Sequence, residues 1–217
     1  MVPSYEYLGV RYGSAEASDL DEVASFLGAV FAANDPLALT LGVTPGEFAE
    51  LARCFASGAG DDGLSIVARR AYTGELVGVL VATDGSAAPP SGLERLSPKF
   101  APVFDLLGGL DAEYRQSMIP PPLGVWLHLL LLGVPEPFGG RDVGSQLLAC
   151  CLENTTRRGY RVASAEATHS ASQHILRKQG FVDRVRRSYQ EYRFEGKAVF
   201  ASIEGHSGPI LMERILA

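Results

Sequence analysis

Apolar residues recur at three- and four-residue steps from Leu20 through Val23, Phe26, Leu27, Val30 and Phe31, the period of a helix with one buried face. Ser18 is placed to cap that helix, with Asp19, Asp21 and Glu22 in its positive first turn. It should stop near Asn34, because the residue before Pro36 avoids the α region. Thr44-Pro45-Gly46-Glu47 is a capping box with proline at the first helical position, and predicts a helix to about Ala56. Val10-Arg11-Tyr12 closes a first strand. Leu64 to Arg70 and Leu76 to Thr83 are β-prone runs joined through Tyr72-Thr73-Gly74-Glu75, which predicts a hairpin. Ser97-Pro98 opens a helix through Phe100, Val103, Phe104, Leu107, Leu110 and Tyr114, weakened by Gly108-Gly109 and closed by Pro120-Pro121-Pro122.

Val125 to Val134 is almost wholly apolar, as a central strand buried on both faces should be. Val143 to Arg158 has helical spacing and ends at Gly159; Tyr160 to Ala167 is a strand; Ser170 to Gln179 is a helix stopped by Gly180. Val182 to Phe194 and Pro209 to Leu216 read as closing strands, with a turn at Glu195-Gly196-Lys197. Gly58 to Gly63 and Asp84 to Gly92 are loops. The order β-α-α-β-β-α-β-α-β-α-β-β is mixed α/β and does not divide into two self-sufficient cores, so residues 1–217 are expected to form a single domain.

Composition narrows the function classes. A chain of 217 residues, 47% apolar and 20% charged, can bury a full core, which excludes disorder and a disulfide-stapled miniprotein. The longest apolar run falls short of the ~18 residues that cross a bilayer, and the start lacks a basic and apolar leader, so a soluble cytoplasmic protein without membrane contact is expected. Cys54, Cys150 and Cys151 behave as small hydrophobes, and no histidine spacing implies a metal. A net charge of −6 argues against nucleic acid, but it is unevenly spread: residues 1–134 carry 7 Lys+Arg against 16 Asp+Glu, and residues 135–217 carry 12 against 9. The acidic part suits a cationic ligand and the basic part a polyanion.

The strand at Leu129 to Val134 feeds Pro135-Glu136-Pro137-Phe138-Gly139-Gly140-Arg141-Asp142 and then a helix opening on Val143-Gly144-Ser145. Free main-chain N–H groups at such a helix start favour an anion, so this loop should bind phosphate. It lacks Gly-Lys-Ser/Thr and the G-x-G-x-x-G spacing, which excludes an NTPase loop and a dinucleotide loop.

Val134-x-Pro-x-Phe138, this glycine and arginine loop, the apolar helix, the strand, and a last helix ending Lys178-x-Gly180-Phe181 together resemble the GNAT superfamily of acyl-CoA-dependent N-acyltransferases. The resemblance implies a single-domain GNAT fold: a mixed, mostly antiparallel seven-stranded sheet with helices on both faces. It also implies acetyl-CoA as co-substrate, bound by Leu132, Gly133 and Val134 and by Gly139, Gly140, Arg141, Asp142, Val143, Gly144 and Ser145. The family loop is R/Q-x-x-G-x-G/A; here Gly139 replaces its basic residue and Asp142 its first glycine, and a carboxylate there opposes pyrophosphate unless it points outward. Asn34-Asp35-Pro36-Leu37, Ala167-Thr168-His169-Ser170-Ala171-Ser172-Gln173, Tyr189-x-x-Tyr192, Gly196-Lys197-x-Val199-Phe200 and His206 are similar to segments of the invertebrate arylalkylamine (dopamine-type) N-acetyltransferases.

That narrower resemblance implies direct attack of a small primary amine on the thioester. An alkylammonium has a pKa of about 10.4, so a base must remove a proton. Asp35 is the first candidate, its alternative being a cap on the Pro36 turn. His128, the polar interruption in an apolar strand, is the second; its alternative is a satisfied core histidine. By strand alternation it shares a face with Leu130 and Leu132 unless a bulge intervenes, and Gly133 would permit a bulge that exposes an N–H to the developing oxyanion. The tyrosine that many members use to protonate the thiolate falls on Leu176; Ser172 replaces it as proton donor, with Thr168 positioning it or the acceptor, unless both hydroxyls merely cap the helix. Phe31, Phe48, Phe55, Phe100, Phe104 and Tyr114 are either an aromatic acceptor pocket or core. The expected protein is a monomer or homodimer that takes a small-molecule amine, arylalkylamine first and polyamine second; the rival is a CoA-binding protein of the same fold with little transferase activity.

Overall fold

The computed structural model describes residues 5–57, 63–119 and 121–216. The chain runs β1 (Tyr5–Tyr7), β2 (Val10–Ser14), α1 (Leu20–Asn34), α2 (Pro36–Thr40), α3 (Pro45–Ala56), β3 (Ile66–Arg70), β4 (Leu76–Asp84), α4 (Ala101–Gln116), β5 (Trp126–Gly133), α5 (Val143–Arg157), β6 (Val162–Ala167), α6 (Ser170–Lys178), β7 (Val182–Arg186) and β8 (Ile210–Ile215). The strands form one sheet in the order β1-β2-β3-β4-β5-β6-β8-β7. All neighbours are antiparallel except β5 and β6, which α5 connects.

Eight strands stand where seven were expected, because Leu8 (φ 49°) and Gly9 (φ 74°) turn the chain back and make β1 a strand of its own against β2. The last connection differs too. β7 ends at Arg186, not at Phe194, and the chain beyond it folds around buried Tyr189 and Phe200, leaving only an isolated Phe194–Lys197 bridge at the expected turn. Ser18 does not cap the first helix: α1 starts from Asp19, which makes no side-chain cap to it, and Glu16 and Asp19 close a capping box over a short 3₁₀ turn at Ala17–Asp19 that precedes it. The Thr44–Glu47 box on α3 forms as its sequence predicts, with both reciprocal bonds present. Of the Gly58–Gly63 loop, residues 58–62 lie outside the described residues, as does Pro120.

Helices cover both faces. On one, α5 packs across β2 to β5, burying Leu147, Leu148 and Cys151 against Ile66, Val77 and Leu127. On the other, α1 and α3 lie over β4 and β5 with Leu27, Phe48 and Val79, while α4 covers β6 to β8 with Tyr114, Trp126 and Leu211. Glycine sets the α1 to β5 distance: a Cβ at Gly133 would lie 2.7 Å from a Leu27 methyl group. Cys54, Cys150 and Cys151 are free thiols, the last two buried. Among the described residues no helix is long and apolar enough to cross a membrane.

Candidate functional site

The sheet opens at its one parallel junction. β5 and β6 pair only from Trp126↔Val162 to Leu129↔Ala165. Beyond that rung β5 continues against β4 as far as Gly133↔Val79, while β6 continues against β8 as far as Ala167↔Ile210. Residues 130–133 thus have a strand partner on one side only, and main-chain groups on the other side face the gap. The register of β5 against β4 slips opposite Leu130, so the bulge lies there and not at Gly133. This bulge also breaks the expected alternation: Leu127 and Leu129 face α5, Leu132 joins the same cluster, and Leu131 turns to the α1 and α3 side. His128 therefore does not share a face with Leu132. It lies on the α4 face with Trp126, whose ring stacks near its own at 6.0 Å.

The loop expected to cradle an anion is at one end of this gap. Glu136–Phe138 form a 3₁₀ turn, and α5 starts at Val143 from Asp142. Asp142 occupies the left-handed region (φ 61°), and Gly140 beside it has φ 71°. Asp142 thus takes a backbone conformation that glycine adopts freely and a β-carbon penalises. Its carboxylate is exposed and makes no cap to the helix. The N–H groups of Val143, Gly144 and Ser145, the first turn of α5, have no intrahelical acceptor, so their partial positive charge is available to a phosphate. Gly144 is buried; a Cβ on it would lie 3.1 Å from Ile175 on α6 and 3.7 Å from Val134. Arg141 and Arg70 both lie over the ring of Phe138, at 6.0 and 5.0 Å, so the loop has cationic walls although Gly139 supplies none. The residues present fit a pantetheine-linked phosphate, because the donors are main-chain groups and the single opposing side chain is in solvent.

The other end of the gap is built from side chains. Asp35 sits between α1 and α2; its Oδ1 accepts the Ala38 N–H at 2.9 Å, so the expected cap is real. Its Oδ2 accepts the Thr168 hydroxyl at 3.0 Å, across 133 residues of sequence. Burial pushes the Asp35 carboxyl above the ordinary range, against the opposing pull of the Ala38 and Leu37 N–H groups, the Thr168 hydroxyl and His206. Thr168 follows the last residue of β6, on the margin of the gap, and its carbonyl accepts the hydroxyl of fully buried Tyr189 at 2.9 Å. Asp35 and Thr168 are therefore brought together.

Ser172 is not brought to that pair: its hydroxyl donates to the His169 carbonyl at 2.7 Å in the first turn of α6. His169 caps α6 through Nδ1 on the Ala171 N–H at 3.0 Å, and its ring lies 4.3 Å from that of His206. Burial, and then His206, hold the His169 imidazole below its usual pKa. Leu176 is buried on α6, so no phenol occupies that position. Of the six aromatic candidates, Phe48, Phe100 and Tyr114 are core; Phe31 and Phe55 are half-buried and Phe104 reaches the surface.

His128 bonds Glu166 on β6 through Nε2 and Oε2 at 2.7 Å. It is a partnered histidine, buried to 14% exposure, not an isolated one. Burial is the largest influence and pulls its pKa down, but the charge and hydrogen bond of Glu166, helped by Asp111 and opposed by Arg115, leave it above the usual value. Glu166, Tyr189 and Gln173 were not singled out as site residues from the sequence. Gln173 is buried and its amide donates to the carbonyls of Ala167 and Gly208, tying the end of β6 to the β7–β8 connection. Glu166 had a signal: it interrupts an apolar strand as His128 does.

A scan of protein-family models and a search of curated proteins return no match. Solved structures do match. The C-terminal condensation domain of Ebony in complex with β-alanyl-dopamine superposes with a TM-score of 0.84 at 17% identity, over 96% of this chain and 100% of that one. Arylalkylamine N-acetyltransferase 2 from Aedes aegypti gives 0.77 at 20% identity, over 96% and 99%. A Drosophila melanogaster polyamine N-acetyltransferase that forms N-acetylagmatine gives 0.75 at 19% identity, over 95% and 100%. The chain carries the GNAT fold, as the sequence resemblance implied.

Proposed function

We propose that this chain, acting as one domain, transfers an acyl group from a coenzyme A thioester to the nitrogen of a small primary amine, acetyl and an arylalkylamine being the first choices. The observation that carries the reading is the Asp35–Thr168 hydrogen bond at the margin of the gap between β5 and β6. Asp35 attracts the ammonium, holds it beside Thr168 and takes its proton, either directly or through water. Its raised pKa makes it a stronger base than an ordinary aspartate. Tyr189 positions Thr168 through the carbonyl bond and contacts no substrate itself.

Coenzyme A, when bound, supplies the acyl group as a thioester whose thiolate departs readily, since a free thiol has a pKa of about 8.5. The N–H groups of Val143, Gly144 and Ser145, with Gly139, Gly140 and Arg141 of the loop, would hold its phosphates, and Leu132, Gly133 and Val134 its pantetheine amides. Asp142 lies in the same loop but contributes main chain only. The gap-facing N–H groups of residues 130–133 are donors for a carbonyl oxygen gaining charge. Ser172 can return a proton only if its hydroxyl leaves the His169 carbonyl.

A second reading, an aminoacyl donor such as a β-alanyl thioester, is favoured by the TM-score of 0.84 to the condensation domain against 0.77 to the mosquito acetyltransferase. The test is incubation with acetyl-CoA or β-alanyl-CoA and, separately, tyramine, tryptamine, agmatine and spermidine, followed by mass spectrometry. We expect N-acylated tyramine or tryptamine. Turnover of spermidine or agmatine alone moves the acceptor to polyamines, and no product together with no calorimetric heat from millimolar CoA overturns the reading.

A further inference from the structure

Two adjacent arginines at the end of β3 are used differently. Arg69 commits its guanidinium within the protein: Nη2 meets Asp19 at 2.9 Å and Glu22 at 2.5 Å, and Nη1 donates to the Gly74 carbonyl at 3.1 Å. Arg70 forms a single ion pair, its Nε lying 2.9 Å from Glu75 Oε2. Its Nη1 and Nη2 meet no acceptor among the described residues, so the outer fork of the guanidinium is open.

That open fork is held in place. The Arg70 N–H donates to the Glu75 carbonyl at 2.8 Å and the Arg70 carbonyl accepts the Gly74 N–H at 2.9 Å, which fixes the main chain at the hairpin end. Glu75 holds one edge of the side chain, and the guanidinium carbon lies 5.0 Å from the centre of the Phe138 ring. Phe138 ends the 3₁₀ turn that leads into the loop before α5, so β3 delivers a cation to this loop from a distant part of the chain. The loop has none at its entry: Gly139 carries no side chain, and a β-carbon there would lie 3.1 Å from the Glu136 carbonyl oxygen. Neither Glu136 nor Asp142 forms an ion pair with Arg70.

We propose that Arg70 is a binding residue for the acyl donor, its open fork gripping a phosphate of coenzyme A beside the Phe138 ring. A guanidinium sets two parallel N–H groups against two phosphate oxygens and stacks on an aromatic face at the same time. The N–H groups at the start of α5 carry partial charge, and Arg70 adds a full one. Because Glu75 and Phe138 order the side chain beforehand, little rotamer freedom is left to lose on binding. Coenzyme A carries phosphate in two places, the pyrophosphate and the 3′-phosphate, and both present the same oxygens to the fork. This inference rests on the start of α5 receiving the donor.

The test is calorimetry with CoA and with 3′-dephospho-CoA on the wild-type chain, Arg70→Ala and Arg70→Gln. Arg95→Ala is the control for net charge: Arg95 is 79% exposed and lies beside Gly92 and Cys54 on the α3 side. Melting temperatures confirm that each variant is folded. We expect both Arg70 variants to weaken CoA binding about tenfold, because hydrogen bonds between charged partners are the stronger class. Arg95→Ala should stay within about twofold, its charge being screened at that distance. An equal loss with dephospho-CoA supports a contact at the pyrophosphate, and a loss confined to CoA supports one at the 3′-phosphate. A loss under about threefold in either folded Arg70 variant, or an equal loss in Arg95→Ala, overturns the proposal. If one Arg70 variant fails to fold, the other decides. Absence of CoA binding by the wild type overturns the donor site under Proposed function and this inference with it, whereas wild-type binding that the Arg70 variants leave intact overturns the inference alone.

Discussion

The two ends of the gap between β5 and β6 are built by different means. The cradle at residues 139–145 is contiguous in sequence, lies at the surface and offers main-chain N–H groups. The other end brings Asp35, Thr168 and Tyr189 together from distant parts of the chain, and these side chains are mostly buried. A main-chain cradle survives side-chain replacement, so Gly139 and Asp142 leave the N–H groups of the helix start in place. An end that depends on individual carboxylates cannot tolerate their loss. Substitutions should therefore act strongly at one end and weakly at the other.

The largest effect is expected for Asp35→Asn, which keeps the shape but removes the proton acceptor: turnover with tyramine at neutral pH should fall about a hundredfold. CoA affinity measured by calorimetry should stay within about twofold, since the cradle does not use this side chain. On the proposed reading Asp35 serves as base only when ionised, and its pKa is raised by burial. The acidic limb of the pH–rate profile should accordingly lie above the ordinary carboxylate range and be absent from the asparagine variant.

Tyr189→Phe removes one hydrogen bond to the Thr168 carbonyl and leaves the ring buried. It should lower the melting free energy by about 1 kcal/mol and reduce turnover several-fold, read against an unchanged CoA affinity. A loss as large at the cradle as at Thr168 would dissolve the contrast between the two ends. Asp142→Gly should act in the opposite direction. Relief of the left-handed backbone contributes roughly 1 kcal/mol of stability, and removing the carboxylate should tighten CoA binding severalfold by titration.

The smallest effect belongs to a region outside the gap. The Glu47 carboxyl is held down to about 2 by Lys99, then by the Thr44 N–H and the Ser97 hydroxyl. Its folded pKa is depressed, so this contribution is complete above the ordinary value of about 4.5 and disappears as pH falls through about 2. Far-UV circular dichroism should show a stability difference between wild type and Glu47→Gln at pH 6 that closes near pH 2, with CoA binding at pH 6 unaffected.

What the sequence revealed was local. The helix at Leu20–Asn34, the Thr44 box, the β3–β4 hairpin and the strand–loop–helix at residues 126–157 are each specified by spacing within one element, and each appears in the structure. The turn at Leu8-Gly9 left no proline or asparagine signal, so β1 went unrecognised. Strand β7 was extended too far because Tyr189 is apolar for another reason, burial among turns beyond Arg186. Asp35 and Thr168 were legible as candidates through resemblance alone; their bond crosses 133 residues and no periodicity encodes it. Glu166 became meaningful only when the parallel pairing placed it beside His128. The bulge at Leu130 depends on the register of β4 and could not be located from either strand by itself.

Strand β5 loses its β6 partner at Leu129 while keeping β4 as far as Gly133. Deuterium uptake along this strand should consequently be uneven: amides directed at β4 are locked into the ladder, whereas those directed across the opening exchange as soon as solvent reaches them. A tightly held segment and a fast-exchanging one would then coexist within four residues, and slowing of the fast amides on adding a thioester would report donor binding without any chemistry having taken place.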